Sequence, residues 1–196
     1  LVARYAAEVA GRPAAPRGTT HISVVDAAGN LAAFSLSNGE GCGHLLPGSG
    51  IMLNNMLGEE DLCPQGFHAW PPGSRMASMM APSLATRPDG GLVALGSGGS
   101  NRIRTAILQV LLNLLDLGLP LEAAVEAPRL HFEAGVLNLE GALAESAEAL
   151  DDGVERTIAW PLHNLFFGGV HAVAREPDGS FSAAGDPRRG GCAIIV

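Results

Sequence analysis

The chain has 196 residues, 47% of them hydrophobic and 16% charged, with a formal net charge of -8. That composition supports a buried core and argues against disorder. The 12 basic residues are all arginine, which excludes a lysine base or a lysine-containing phosphate loop within the chain; an acidic chain without a basic cluster is a poor nucleic-acid binder, and its apolar runs break well before the ~18 residues of a membrane span.

In chain order, residues 1–12 predict the end of a helix, with Leu1, Val2, Tyr5 and Val9 roughly on one side and Gly11 as a stop. Residues 13–18, PAAPRG, form a linker. At Thr19 the composition changes: HISVV and LAAFSLS predict two strands around a DAAGN turn. A Gly-rich stretch follows at 39–50, then a short apolar piece, Ile51 to Leu53, and a loop through GEEDLCPQGFHAWPPGSR. Residues 92–95, LVAL, predict a buried strand, and GSGGSN leads into a helix over Arg102 to Leu115. Pro120 opens a second helix with Leu121, Ala124 and Val125 on one side. Residues 129–139 read as extended, and the last 28 or so residues as a hairpin turning at PDG with an apolar tail. Strands and helices are mixed without the regular alternation of a doubly wound sheet, which points to α+β.

Several residues can carry chemistry. Thr19 follows a Pro/Gly linker and begins a strand. A threonine hydroxyl is a weak nucleophile unless a base adjoins it, and the α-amine of the same residue, with an unperturbed pKa of ~8, serves once Thr is N-terminal. A Thr pair opening a strand is also ordinary β-sheet chemistry. A hairpin centred near Ala28 brings Thr19 opposite Leu36 to Asn38, so Ser37 becomes a candidate hydroxyl neighbour. The glycines of residues 96–100 can converge backbone N–H groups on an oxyanion, or simply make a tight strand-to-helix turn. Three cysteines, Cys42, Cys63 and Cys192, form no CxxC pair and read as small hydrophobes. The histidines form neither HxH nor HxxxH, and there is no GxSxG elbow. Glu59, Glu60 and Asp61 cluster in what reads as a solvated loop.

Taken together, TTHISVVDAAGN at 19–30, GSGIMLNN at 48–55, MMAPS at 79–83, GSGGSNRIRTAILQVLLNLLD at 96–116, EAPRLHFE at 126–133 and GDPRRGG at 185–191 resemble the gamma-glutamyltranspeptidase family, in that family's order. The resemblance implies an N-terminal nucleophile hydrolase with an αββα sandwich, made by a large and a small subunit cut from one precursor. Residues 1–18 then end the large-subunit region, residues 19–196 are the small-subunit domain, and the cut falls between Gly18 and Thr19. Thr19 is the implied nucleophile, Ser37 its hydroxyl partner, and Gly98 and Gly99 the oxyanion hole, with a register open by one residue. Asn38, Glu59 and Ser78 are the implied donor-binding residues. The implied reaction is transfer or hydrolysis of glutathione-like γ-glutamyl amides, with no metal or organic cofactor, in a periplasmic or secreted enzyme; the residues themselves leave the compartment open, cytoplasm included. Met56 stands where the family places Gln or Glu, and Met79 follows Ser78 where the family has a second Ser. A thioether makes neither hydrogen bond, so a related amidase or acylase with another donor is the rival reading, and a non-catalytic binding homologue the third.

Overall fold

The computed structural model describes residues 19–150 and 153–196, with backbone alone for 146–150. The expected helix end and linker, Gly18 included, lie outside the described residues. The chain opens on a hairpin, β1 (Thr19–Val25) and β2 (Leu31–Ser37). Its turn is closed by Asp26, whose carboxylate accepts from the Asn30 backbone at 2.8 Å and side chain at 2.7 Å, while Gly29 takes φ 86. Those contacts hold the Asp26 carboxyl below its ordinary value, the Asn30 side chain contributing most.

A second sheet, among the described residues, has the order β3-β4-β8-β9, all antiparallel: β3 (Ser83–Thr86), β4 (Leu92–Gly98), β8 (Gly169–Arg175) and β9 (Phe181–Ala184). Strand β4 is covered on both faces, and Val93, Ala94 and Leu95 are completely buried. The hairpin packs on one face, against β4 and β8. On the other lie helices α1 (Arg102–Leu115) and α2 (Leu121–Glu126). Helix α1 buries Ile103, Ala106, Ile107, Val110 and Leu114, the spacing of a single helical stripe. These side chains meet Val93, Leu95, Val170 and Ala172 of the sheet in the main core. Each fully buried aliphatic side chain of this kind stabilises by roughly 1.5–3 kcal/mol.

A third sheet, β5 (Leu130–Glu133), β6 (Val136–Glu140) and β7 (Arg156–Trp160), pairs β5 antiparallel and β7 parallel to β6. It is tied to the core by a buried ion cluster. Arg188 binds Glu140 through Nε at 2.9 and 3.0 Å, and Arg129 pairs with Asp186 at 2.7 Å. Asp186 also accepts from the Val170 and Arg188 backbone N–H groups and, at 3.3 Å, from Arg188 Nη1.

The expected hairpin, helices and PDG turn are present. The extended stretch 129–139 is two strands folded at Ala134 and Gly135, and β3 and β7 were not foreseen. Strand β4 runs to Gly98, three residues past the expected end, because its glycines still pair with β8 down to Gly169. The apolar tail of Ile194, Ile195 and Val196 is exposed and belongs to no described strand. Hairpin, sheet and helices make three layers, β-β-α, of the α+β sandwich that the resemblance implies.

Candidate active site

The hairpin register pairs Thr19 with Ser37 directly. Thr19 Oγ1 donates to Ser37 Oγ at 3.2 Å, and Ser37 Oγ also accepts from the Gly39 backbone at 3.0 Å. Thr19 rests on Gly98: a Cβ there would lie 2.5 Å from the Thr19 carbonyl oxygen and 3.1 Å from its Cβ. Only glycine lets β4 approach the first residue of β1 this closely.

One layer further in, the His21 ring fills the space between the sheets. A Cβ at Gly96 would lie 2.2 Å from its Cε1. Its nitrogens meet Ser35 Oγ at 2.8 Å and Ser23 Oγ at 2.9 Å, and Ser23 Oγ donates a hydrogen bond to the His171 carbonyl at 3.2 Å. Burial, with His171 adding to it, pushes the His21 pKa down to about 4. The hairpin floor under Thr19 is thus a neutral hydrogen-bonded inter-sheet network.

Thr19 and Ser37 open into a cavity of about 550 Å³. Its lining includes Gly99 and Ser100 from the turn after β4, and Glu40, Glu59, Glu60 and Asp61 from the loops. Arg102, Arg189, Met56, Met79 and Phe166 line it too. Burial, then the charges of Asp61 and Glu40, raise the Glu59 carboxyl above its ordinary value. Arg102 lies 5.0 Å over the Phe166 ring, within cation–π range.

Gly99 has φ 133 and Ser100 φ 54. Their carbonyls accept from Arg102 N at 3.1 Å and Ile103 N at 3.0 Å, at the start of α1. In a trans peptide the N–H points opposite the preceding carbonyl. The Ser100 N–H therefore faces away from the helix, and no backbone acceptor among the described residues takes it or the Gly99 N–H.

Of the residues singled out in the sequence, Thr19, Ser37, Gly99, Glu59 and Ser78 share this cavity. Ser78 Oγ accepts from the Met80 backbone at 3.1 Å. Gly98 sits in β4 behind Thr19, outside the lining. Asn38 turns its side chain to the Met52 carbonyl at 3.3 Å, while Asn55 enters the lining and accepts from Glu40 N at 2.7 Å. Sequence reading missed Asn55, Ser100, Arg102, Phe166 and Arg189 as wall residues. Ser100 and Arg102 lie in the GSGGSNR run and Arg189 in GDPRRGG, but nothing in either run shows which side chain faces the cavity. Asp61, read as part of a solvated loop, also belongs to the wall.

The family model described as gamma-glutamyltranspeptidase matches residues 3–196. An acylase ACY 1 proenzyme of Pseudomonas sp. (strain V22) is 37% identical over 91% of this chain and 32% of its own length. A glutathione hydrolase proenzyme of Pseudomonas aeruginosa is 32% identical over 92% of this chain and 35% of its own length. The chain therefore spans about a third of the curated relatives it matches. Among solved structures, the gamma-glutamyltranspeptidase from Pseudomonas nitroreducens complexed with L-DON superposes with a TM-score of 0.73 at 29% identity, covering 90% of this chain and 99% of that one. The Bacillus anthracis transpeptidase CapD gives the same TM-score at 26% identity and the same two coverages. With the TTH-led hairpin, the glycine-backed Thr19 and the motif order all accounted for, the chain belongs to the gamma-glutamyltranspeptidase family.

Proposed function

We propose that this chain is the small-subunit region of a self-processing precursor whose Thr19 becomes the catalytic nucleophile after cleavage of the Gly18–Thr19 bond. The large-subunit region of the same precursor completes the enzyme. The observation that carries this reading is Thr19 Oγ1 at 3.2 Å from Ser37 Oγ, at the edge of a cavity that also holds Gly99 and Ser100. In the proposed reaction the freed α-amine takes the Oγ1 proton as the oxygen attacks a donor amide. Ser37 orients the hydroxyl. The N–H groups of Gly99 and Ser100 receive the developing oxyanion, one residue further along than the Gly98–Gly99 pair and within the open register. The amine leaves with the proton from the α-amine, and water or an acceptor amine then resolves the acyl-enzyme.

The donor is read first as a γ-glutamyl amide, with the Glu59 carboxylate placed to meet its α-ammonium and Ser78 its carboxylate. A second reading, an acylase whose donor lacks a free α-amine, is favoured by Met56 and Met79 in the cavity wall. The missing hydrogen bonds cost on the order of 1–3 kcal/mol each at a buried charged group, roughly tenfold to a hundredfold in selectivity.

Both parts are testable on the complete protein. Mass spectrometry should find a subunit beginning TTHISVV, and Thr19→Ala should remain one chain; efficient cleavage of that variant sinks the nucleophile. Comparing kcat/KM for glutathione, its N-acyl analogue and a glutaryl amide decides the donor. Strong selectivity for free glutathione removes the acylase reading and leaves Thr19 in place.

A further inference from the structure

Among the described residues, Ser100 is the non-glycine residue with a left-handed backbone that lines the cavity, at φ 54. Such a conformation costs a residue with a Cβ roughly 1–2 kcal/mol, so something must hold it. Ser100 Oγ donates to one oxygen of Asp61, and Asn101 Nδ2 reaches the other at 3.3 Å. The same amide donates to Glu133 at 2.6 Å, and the far oxygen of Glu133 lies 3.2 Å from His131 Nε2. His131 Nδ1 is in turn 2.9 Å from Thr105 Oγ1 on α1. Asp61 belongs to the loop after Glu59, so one carboxylate fastens that loop to the turn at the end of β4.

We propose that Asp61 is a positioning residue for acyl transfer: through Ser100 and Asn101 it fixes the left-handed turn that aims the Ser100 N–H at the reacting carbonyl. This rests on the functional reading above, in which Thr19 attacks and that N–H receives the oxyanion. Asp61 need not touch the donor. Its removal lets the turn relax toward a right-handed conformation and rotates the N–H out of line, which slows acylation while leaving ground-state binding nearly intact.

The test is a pair of backgrounds. In the processed full-length protein, Asp61→Ala should lower kcat by about tenfold to a hundredfold, less than outright loss of an oxyanion donor, with KM moved by no more than about threefold. The probes are γ-glutamyl and glutaryl p-nitroanilide, run side by side. Glycine takes φ 54 without strain, so in a Ser100→Gly background the turn no longer needs its clamp. There, Asp61→Ala should cost at most about threefold in kcat, whatever rate Ser100→Gly has by itself. An equal loss in both backgrounds overturns the proposal, as does a rise in KM with kcat unchanged, which would make Asp61 a donor ligand. Equal loss of thermal stability in both backgrounds, with kcat following it, would mark Asp61 as merely structural. If wild-type protein releases nitroaniline from neither probe, or Thr19→Ala still does, the functional reading itself fails and takes the proposal with it.

Discussion

The inter-sheet histidine gives the fold a defined acid sensitivity. His21 has a folded pKa of about 4 against 6.5 for the free side chain. The unfolded chain therefore binds a proton between those values that the folded chain refuses. Stability carried by neutral His21 is complete above pH ~6.5 and drains away as pH falls toward 4. A difference of about 2.5 units at 1.36 kcal/mol each amounts to roughly 3 kcal/mol. His171, lowered chiefly by its own burial, drains in the same sense. Glu59, its carboxyl raised, works weakly the other way. Asp26 and Asp178, both held low by turn hydrogen bonds, matter only below their ordinary 3.8. The assay is urea unfolding of the processed protein at pH 7.5 and 4.5, with ring-carbon NMR of labelled histidine followed from pH 8 to 3.5. One ring should stay neutral until about pH 4, and His21→Gln should remove most of the pH slope. A His21 ring titrating near 6.5, or an unchanged slope in His21→Gln, would refute the reasoning.

Ser37→Ala should lower turnover by more than the roughly 1 kcal/mol one lost hydrogen bond costs in stability; turnover and melting measured on the same sample separate the two, and unchanged turnover with processing intact rejects a role for that contact. Gly98→Ala places a methyl against the Thr19 main chain, so self-cleavage, read by gel, should slow by at least tenfold, alongside an overpacking cost of about 1–3 kcal/mol. Arg188→Met leaves Glu140 and Asp186 buried without their shared partner; denaturant unfolding should show a loss of about 3–5 kcal/mol.

Much of this was legible because the signals are local. The DAAGN turn fixes the hairpin length, and hairpin length fixes which residue faces Thr19. Leu121, Ala124 and Val125, read on one side of α2, are its buried residues. What escaped depends on partners distant in the chain. Four residues of β3 carry no pattern of their own and become a strand only beside β4. Strand β7 adds in parallel to β6 from some twenty residues away. The GSG of β4 looks like a loop by propensity, yet it stays extended because Gly169 and Thr19 press on it from two sides. In the cavity, Asp61 was indistinguishable from a solvated acidic residue. Its meaning comes from Ser100, 39 positions along.

The hairpin that carries Thr19 is built inside out. Its inner face holds His21, Ser23, Ser35 and Ser37, whereas Ile22, Val24, Phe34 and Leu36 are 45–56% exposed on the outer one. A two-stranded ribbon is marginal by itself, and a greasy, open-edged one is a template for association. In a precursor that cuts itself, this sets an order of events. If the bond before Thr19 is cut as proposed, the outer face should be covered first, since a hairpin released early would stick to its neighbours instead of seating on β4. If the precursor is processed as proposed, folding precedes proteolysis, and small-subunit chains made separately should collect in the insoluble fraction.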